Sequence, residues 1–287
     1  MDNSNVSTIS EQTSSISSES TPKPTRKPAV ILFEYIGDRS GSTSSISIAQ
    51  KIGLQTCIND RRKDAENTNA TCLLSITTFD DRSKTWSQQW TEGDEDYANI
   101  TNIPDKFSSE DLDKMLDPRG STRLIDTACE RAFKFENKLK EIHESLKGTD
   151  NDKVVAVFVL STDGYDNSSE KYSIQDLNKV VRRLRDSGVE MMFLAANQDA
   201  IASGTSFGFA PSHAMTFGAN PGSAQAAFKG LSSITRDVSN GLKSNGFSNN
   251  MRIASAPVAN NLNQHASTVQ RPFSLKMSTC VPTKSNK

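Results

Sequence analysis

The chain predicts an α/β fold, a doubly wound, mostly parallel sheet with helices on both faces and one antiparallel edge strand, held between two tails without fixed structure. Residues 29–36, 154–160 and 191–196 are near-continuous apolar runs of strand length, the pattern of strands covered on both faces. Stripes of apolar residues at helical spacing separate them, which requires right-handed crossovers and places any ligand beyond the carboxyl ends of the strands. The apolar content of 34% lies below the globular average of about 45–50%, yet the middle of the chain is densely apolar, so the deficit sits at the ends.

The first strand runs over residues 29–36, with a helix starting near Ser44. Residues 71–79 and 84–90 read as two strands joined by the polar turn 80–83, a hairpin at the sheet edge. Ile125, Ala128, Cys129, Ala132, Leu139, Ile142 and Leu146 form one face of a helix that Gly148 closes. A strand over 154–160 leads to a helix carrying Ile174, Leu177, Val180, Val181 and Leu184, with Arg182, Arg183 and Arg185 on its solvated side and Gly188 near its end. After the strand at 191–196, the last helix presents Ala224, Ala227, Phe228, Leu231, Ile234, Val238 and Leu242, with Pro221 in its first turn.

With 287 residues the chain fits one domain with tails. Residues 1–27 are dominated by Ser and Thr and lack the apolar surface to offset their ordering entropy. Residues 244–287 are expected to be disordered and mildly basic, since no acid follows Asp237 while Lys243, Arg252, Arg271, Lys276, Lys284 and Lys287 remain. The domain is therefore placed at 28–243. A net charge of −1 gives no global steering toward nucleic acid or a membrane, and no apolar run approaches the ~20 residues of a membrane span. Cys57, Cys72, Cys129 and Cys280 show no paired spacing, and no leader-like apolar segment precedes Pro28. The expectation is free thiols in the cytoplasm, with the sequons at Asn69, Asn99 and Asn167 as chance matches.

The chemistry concentrates in three places. Asp38, Ser40 and Ser42 follow the first strand, and Thr122 and Asp163 recur in matching settings. Residues at i, i+2 and i+4 in an extended loop point the same way, and Gly41 lets the backbone turn between them. Carboxylate and hydroxyl oxygens without imidazole or thiolate suit Mg2+, Mn2+ or Ca2+. With only two charged groups among five, a dication here would carry no surplus negative charge and would leave room for an acidic group from outside. The competing reading is structural: Ser and Asp after a strand form turns and cap helices, and Thr122 stands where an N-cap belongs. Asp126 reads as a first-turn carboxylate favoured by the helix dipole, and Asp166 as a loop partner or a support for the site.

Taken together, the run Asp38-x-Ser40-x-Ser42, then Thr122 in Gly120-Ser121-Thr122, then Asp163 in Ser161-Thr162-Asp163-Gly164, resembles the metal-ion-dependent adhesion site (MIDAS) of von Willebrand factor A-type (VWA) domains, intracellular or phage-type members in particular. Asp166-Asn167 and the run Ala196-Asn197-Gln198-Asp199-Ala200 extend the likeness, which covers about residues 28–243. The resemblance implies a protein-binding module rather than an enzyme: Asp38, Ser40, Ser42, Thr122 and Asp163 around Mg2+, and a partner Asp or Glu completing the shell. Two features depart from the pattern. Gly37 stands where the family more often has an apolar residue, and Glu34 lies in the middle of the central strand, where it must be neutral, paired or turned toward a gap between helices. Two other functions remain open: a Mg2+- or Mn2+-dependent phosphoesterase using Asp38 and Asp163, and nucleic-acid association through the basic C-terminal tail. His143, His213 and His265 form no recognisable dyad, and there is no nucleophile elbow or phosphate-binding glycine loop.

Overall fold

A computed structural model of the chain describes residues 26–257 apart from Asp94. The expectations for residues 1–25 and 258–287, and those for His265 and Cys280, lie outside this range. The elements run β1 (Val30–Asp38), α1 (Ser47–Thr68), β2 (Thr71–Phe79), β3 (Ser83–Thr85), β4 (Ala98–Asn99), α2 (Ser109–Leu116), α3 (Leu124–Leu146), β5 (Val154–Thr162), α4 (Ile174–Asp186), β6 (Glu190–Ala196), α5 (Ala200–Ser206), β7 (Ala214–Phe217), α6 (Pro221–Ser239) and α7 (Asn249–Ser255). The sheet has the order β3-β2-β1-β5-β6-β7, with β4 also on β2. β1 pairs in parallel with β2 and β5, and β6 with β5 and β7. All of β1 is buried, as its apolar run requires.

Two apolar layers enclose the sheet. Ile31, Phe33, Tyr35, Ile76 and Val159 pack under α1 and α6; Leu32, Ile36, Phe158, Leu160 and Phe193 pack under α3 and α4. The unbroken pairing from Val30↔Thr71 to Asp38↔Phe79 fixes the register of β1. Gly37 is explained within the strand, because a Cβ there would lie 2.9 Å from Cε1 of Tyr35, whose ring folds back over it.

Glu34 is paired. Arg131 of α3 donates from Nε and Nη2 to its two carboxylate oxygens, both at 2.9 Å, and the Tyr97 hydroxyl donates to Oε2 at 2.6 Å. Ser75 on the neighbouring strand adds a bond at 3.1 Å, and Arg131 also reaches Asp96 at 2.9 Å. A bidentate guanidinium is what a carboxylate in a sheet interior requires.

The structure corrects three expectations. The strand placed at 84–90 ends at Thr85, because Ser87 takes the Ile76 N–H on its hydroxyl and donates to the Asp96 carbonyl, and the chain turns into a 3-10 helix at Ser87–Trp90. The rest of that edge is covered by β4, which pairs antiparallel with Leu73 and Leu74. The N-cap placed at Thr122 is absent: α3 begins at Leu124, and Asp166 in another loop accepts the Ile125 N–H. The domain also continues past Lys243. Phe247 is buried, and Arg252 donates to the carbonyls of Pro211, Ser212, Ala214 and Phe247. Ser255 lies along β7, its carbonyl accepting the Gly218 N–H and its hydroxyl donating to the Thr216 carbonyl. Dispersed charge and few large apolar residues hid this segment, whose anchors are one guanidinium and one Phe.

Candidate metal centre

Asp38 is the last residue of β1, and beyond it Ser40 stays extended before the 3-10 turn Gly41–Ser45. Asp38 Oδ1 accepts the Ser40 N–H at 2.7 Å and Oδ2 accepts the Thr162 hydroxyl at 2.6 Å, which locks the carboxylate at the ends of adjacent strands. Gln50 on α1 donates to the Asp38 carbonyl at 2.9 Å. Ser40 Oγ and Ser42 Oγ are 3.1 Å apart, and Ser42 Oγ donates to Asp163 Oδ1 at 2.8 Å. Thr122 enters from the loop before α3: a Cβ built on Gly164 would stand 3.3 Å from Ser42 Oγ and 3.9 Å from Thr122 Oγ1. Asp38, Ser40, Ser42 and Asp163 thus form one contiguous cluster, with Thr122 facing it across Gly164.

Asp80 organises the surrounding loops. Its carboxylate takes Arg39 at 3.0 Å and Arg119 at 2.7 Å, its Oδ1 accepts the Arg82 N–H and its carbonyl accepts the Arg123 N–H. Burial alone would raise its pKa, but Arg119, Asp81, the Arg82 N–H and Arg39 together hold it below the ordinary carboxylate range. The loop bearing Thr122 is further tied to the loop bearing Ser42 by Gly41 N–H to the Gly120 carbonyl at 3.1 Å. Gly120 has φ +67, and a Cβ there would meet Asp81 Oδ1 at 2.9 Å, so this position needs glycine. Asp126 is fully buried and accepts the backbone N–H groups of Glu170, Lys171 and Tyr172, so it staples the loop after β5 to α3. Asp166 shares that task through Ile125 and Ser169.

The two carboxylates of the cluster do not rest comfortably as a pair of anions. Burial raises Asp38 above its ordinary range, against the bonds from Thr162 and Ser40. Burial and then the charge of Asp38 push Asp163 up to about 6. A cation between them would reverse that sign. The donor set fits such an ion by its chemistry, hard carboxylate and hydroxyl oxygens without imidazole or thiolate, and Ser40, Ser42 and Asp163 are held together by hydrogen bonds of 3.1 and 2.8 Å. Among the described residues no group of three or more His, Cys, Asp or Glu could hold a metal, so the donor set here is hydroxyl-rich rather than acid-rich.

The parallel order about β1, with these three motifs at the carboxyl edge of β1 and β5, decides the architecture. The fold is a doubly wound, mostly parallel α/β sheet, the architecture that the resemblance implied. No family model matches the chain, and no curated relative matches it. Similar solved structures include proximal thread matrix protein 1 from the mussel byssus with a zinc-occupied MIDAS motif, at 18% identity over 76% of this chain and 46% of that one with a TM-score of 0.43. A von Willebrand factor type A structure from Catenulispora acidiphila shares 12% identity over 73% of this chain and 43% of its own, TM-score 0.45. Manganese-loaded TRAP protein from Plasmodium vivax shares 16% over 60% and 58%, TM-score 0.37. This chain spans less than half the length of the first two. Likenesses this distant carry no argument about the site, whose reading rests on its own residues.

Sequence reasoning reached every oxygen of the cluster but not Thr162, Gln50 or Asp80, which hold it in place. Thr162 had a signal in its position just before Asp163, at the end of the strand beside β1. Asp80 had none, since it lies in what reads as a plain hairpin turn.

Proposed function

We propose that this chain is a divalent-cation-dependent protein-binding module, in which Asp38, Ser40, Ser42, Thr122 and Asp163 hold Mg2+ and a carboxylate of the partner completes the shell. The observation that carries this reading is the gathering of the Asp38, Ser40, Ser42 and Asp163 oxygens into one cluster at the ends of β1 and β5. When bound, the ion supplies a positive charge with an open position for an acidic group. The chain's own part is positional. Asp38 is locked by Ser40 and Thr162, the serine hydroxyls are set by the turn after β1, and the loop bearing Thr122 is fixed by Asp80. With two carboxylates against a dication, the occupied site is neutral before the partner arrives. At ~4 Å and an effective dielectric of ~20 each unit of ion charge attracts a carboxylate by about 4 kcal/mol before desolvation, and the charges of Asp38 and Asp163 oppose that attraction, so it is direct coordination at the open position that favours the acid.

The test is calorimetric titration of Mg2+ and Mn2+ into the protein and into its Asp163→Ala form, followed by binding of immobilised acidic peptides with and without chelator. Saturable ion binding lost in the variant, together with peptide retention lost on chelation, is the expected result. Hydrolysis of a phosphoester that requires Mg2+ and both Asp38 and Asp163 would replace the binding reading with the enzymatic one.

A further inference from the structure

On the amino side of the sheet, away from the oxygen cluster, three side chains form a line of short contacts. Glu190 is the first residue of β6, and His213 ends the 3-10 turn Pro211–His213 that leads into β7. The two strands pair in parallel from Phe193↔Ala214 onward, which brings Glu190 and His213 together. His213 Nε2 stands 2.5 Å from Glu190 Oε1, and His213 Nδ1 stands 2.8 Å from Ser212 Oγ. The sequence showed no dyad at this histidine; folding supplies one, with a carboxylate behind it.

The surroundings decide which ring nitrogen carries the proton. Glu190 Oε1 is buried and, among the described residues, has no hydrogen-bond partner other than this imidazole. A buried carboxylate oxygen without a donor is costly, so the proton belongs on Nε2, with Ser244 Oγ at 3.1 Å as a second, longer contact of that nitrogen. Nδ1 is then the bare nitrogen, and the Ser212 hydroxyl donates to it. That is the tautomer a general base needs. The imidazole and the carboxylate are largely shielded, with side-chain exposures of 17% and 14%, whereas Ser212 is exposed and open to a reactant. The backbone of the serine is also fixed: its carbonyl accepts the Phe247 N–H at 2.8 Å and Arg252 Nη2 at 2.9 Å. A local turn bond would explain a Ser beside a His, but it does not call for a buried carboxylate on the far ring nitrogen.

We propose that Ser212 is a base-activated nucleophile that is acylated by small, unhindered esters, with His213 taking its proton and Glu190 orienting the imidazole. A bond forms between Ser212 Oγ and the carbonyl carbon as the hydroxyl proton passes to Nδ1. Collapse of the tetrahedral adduct breaks the bond to the alkoxy oxygen, which takes the proton from Nδ1 and leaves as an alcohol. Water, deprotonated by the same nitrogen, then releases the carboxylic acid and restores the hydroxyl. Ester and water are the only reactants. This centre shares no residue with the cation cluster, so its activity is independent of the binding function proposed above.

The test is burst kinetics of the full chain with p-nitrophenyl acetate in chelator, with the acetylated residue located by mass spectrometry. The expected result is one acetyl group per chain, on Ser212, absent in Ser212→Ala and retained on the thiol of Ser212→Cys. His213→Gln should slow acylation by about 10²-fold, the usual contribution of a positioned base. Glu190→Gln should lower the rate constant of the burst at unchanged amplitude, because the carboxylate sets the ring and not the number of reactive serines. A Glu190→Gln burst that shrinks in amplitude at an unchanged rate constant would mark Glu190 as purely structural and overturn its orienting role. Acetylation confined to lysines, a Ser212→Ala burst equal to wild type, or a His213→Gln rate equal to wild type would overturn the proposal. So would ester cleavage that requires Mg2+ and Asp38, which would belong to the other centre.

Discussion

Replacing Arg131 by Met should be among the most damaging single changes in this domain. The guanidinium is nearly as buried as the carboxylate it holds, with side-chain exposures of 4% and 0%. Its loss would leave Glu34 in the central strand with only the hydroxyls of Tyr97 and Ser75. Asp96 would suffer less, since Lys134 still reaches it at 2.8 Å. Breaking a buried pair from one side costs about 3–5 kcal/mol, because an uncompensated charge remains in the interior. At roughly 2–4 °C per kcal/mol for a domain of this size, that is a fall in Tm of about 6–20 °C. The double variant Glu34→Leu with Arg131→Met removes both charges and should recover most of the loss, so urea denaturation of the four members of the cycle gives the coupling directly. A single variant within about 1 kcal/mol of wild type, or a double variant no better than the single, would refute the view that Arg131 exists to compensate Glu34.

Mg2+ at a hundredfold excess over its Kd should stabilise the protein by about 2.7 kcal/mol in thermal unfolding, and Asp163→Ala should abolish the response while keeping the fold. The same carboxylate sets a pH dependence. Its pKa of about 6 in the folded protein exceeds the ordinary 3.8, so without metal its contribution favours the fold at low pH and is lost as pH rises from about 4 through 6. Ion binding must displace that proton, so Mn2+ affinity should fall as pH drops below about 6. Gly120→Ala forces a side chain into φ +67 beside Asp81 and should cost about 1–2 kcal/mol, with weaker ion binding because the Gly120 carbonyl ties the loop to Gly41. Arg252→Ala removes one donor from each of four backbone carbonyls, and limited proteolysis should then cut within residues 244–256 at unchanged ion affinity.

The buried strands were legible because a strand covered on both faces leaves an uninterrupted apolar run, as β1, β5 and β6 do. The start of α1 was read near Ser44, but its extent and buried face were not, because its buried side carries Gln50, Arg61 and Asp64 beside Leu54 and Ile58, and polar residues at inward positions erase the stripe that periodicity detects. Its Gly53 lies where a Cβ would stand 2.2 Å from the Phe228 ring, a packing reason that one sequence cannot reveal. Glu34 could be recognised as needing a partner, but Arg131 lies 97 residues away, and no local rule names a partner at that separation. The cluster oxygens were readable from their spacing and Thr162 only from its place beside Asp163, whereas the loop hub Asp80 was not, since it acts only through contacts that folding creates. The C-terminal limit was misplaced for a related reason: composition averages over a segment, whereas Arg252 and Phe247 act singly.

The strip of chain from Phe247 to Ala256 also covers an edge of the sheet. β7 pairs with β6 on one side only, and its other side is occupied by Ser255, which engages the backbone of Thr216 and Gly218. Cutting the chain at the compositional boundary of Lys243 would bare a short, buried and apolar edge strand, a ready template for a second sheet. Such a trimmed protein should self-associate through that edge, and it would also lose the buried Phe247 from its core. The last turn of helix is thus expected to keep that edge covered, and a shortened form of the protein should retain it.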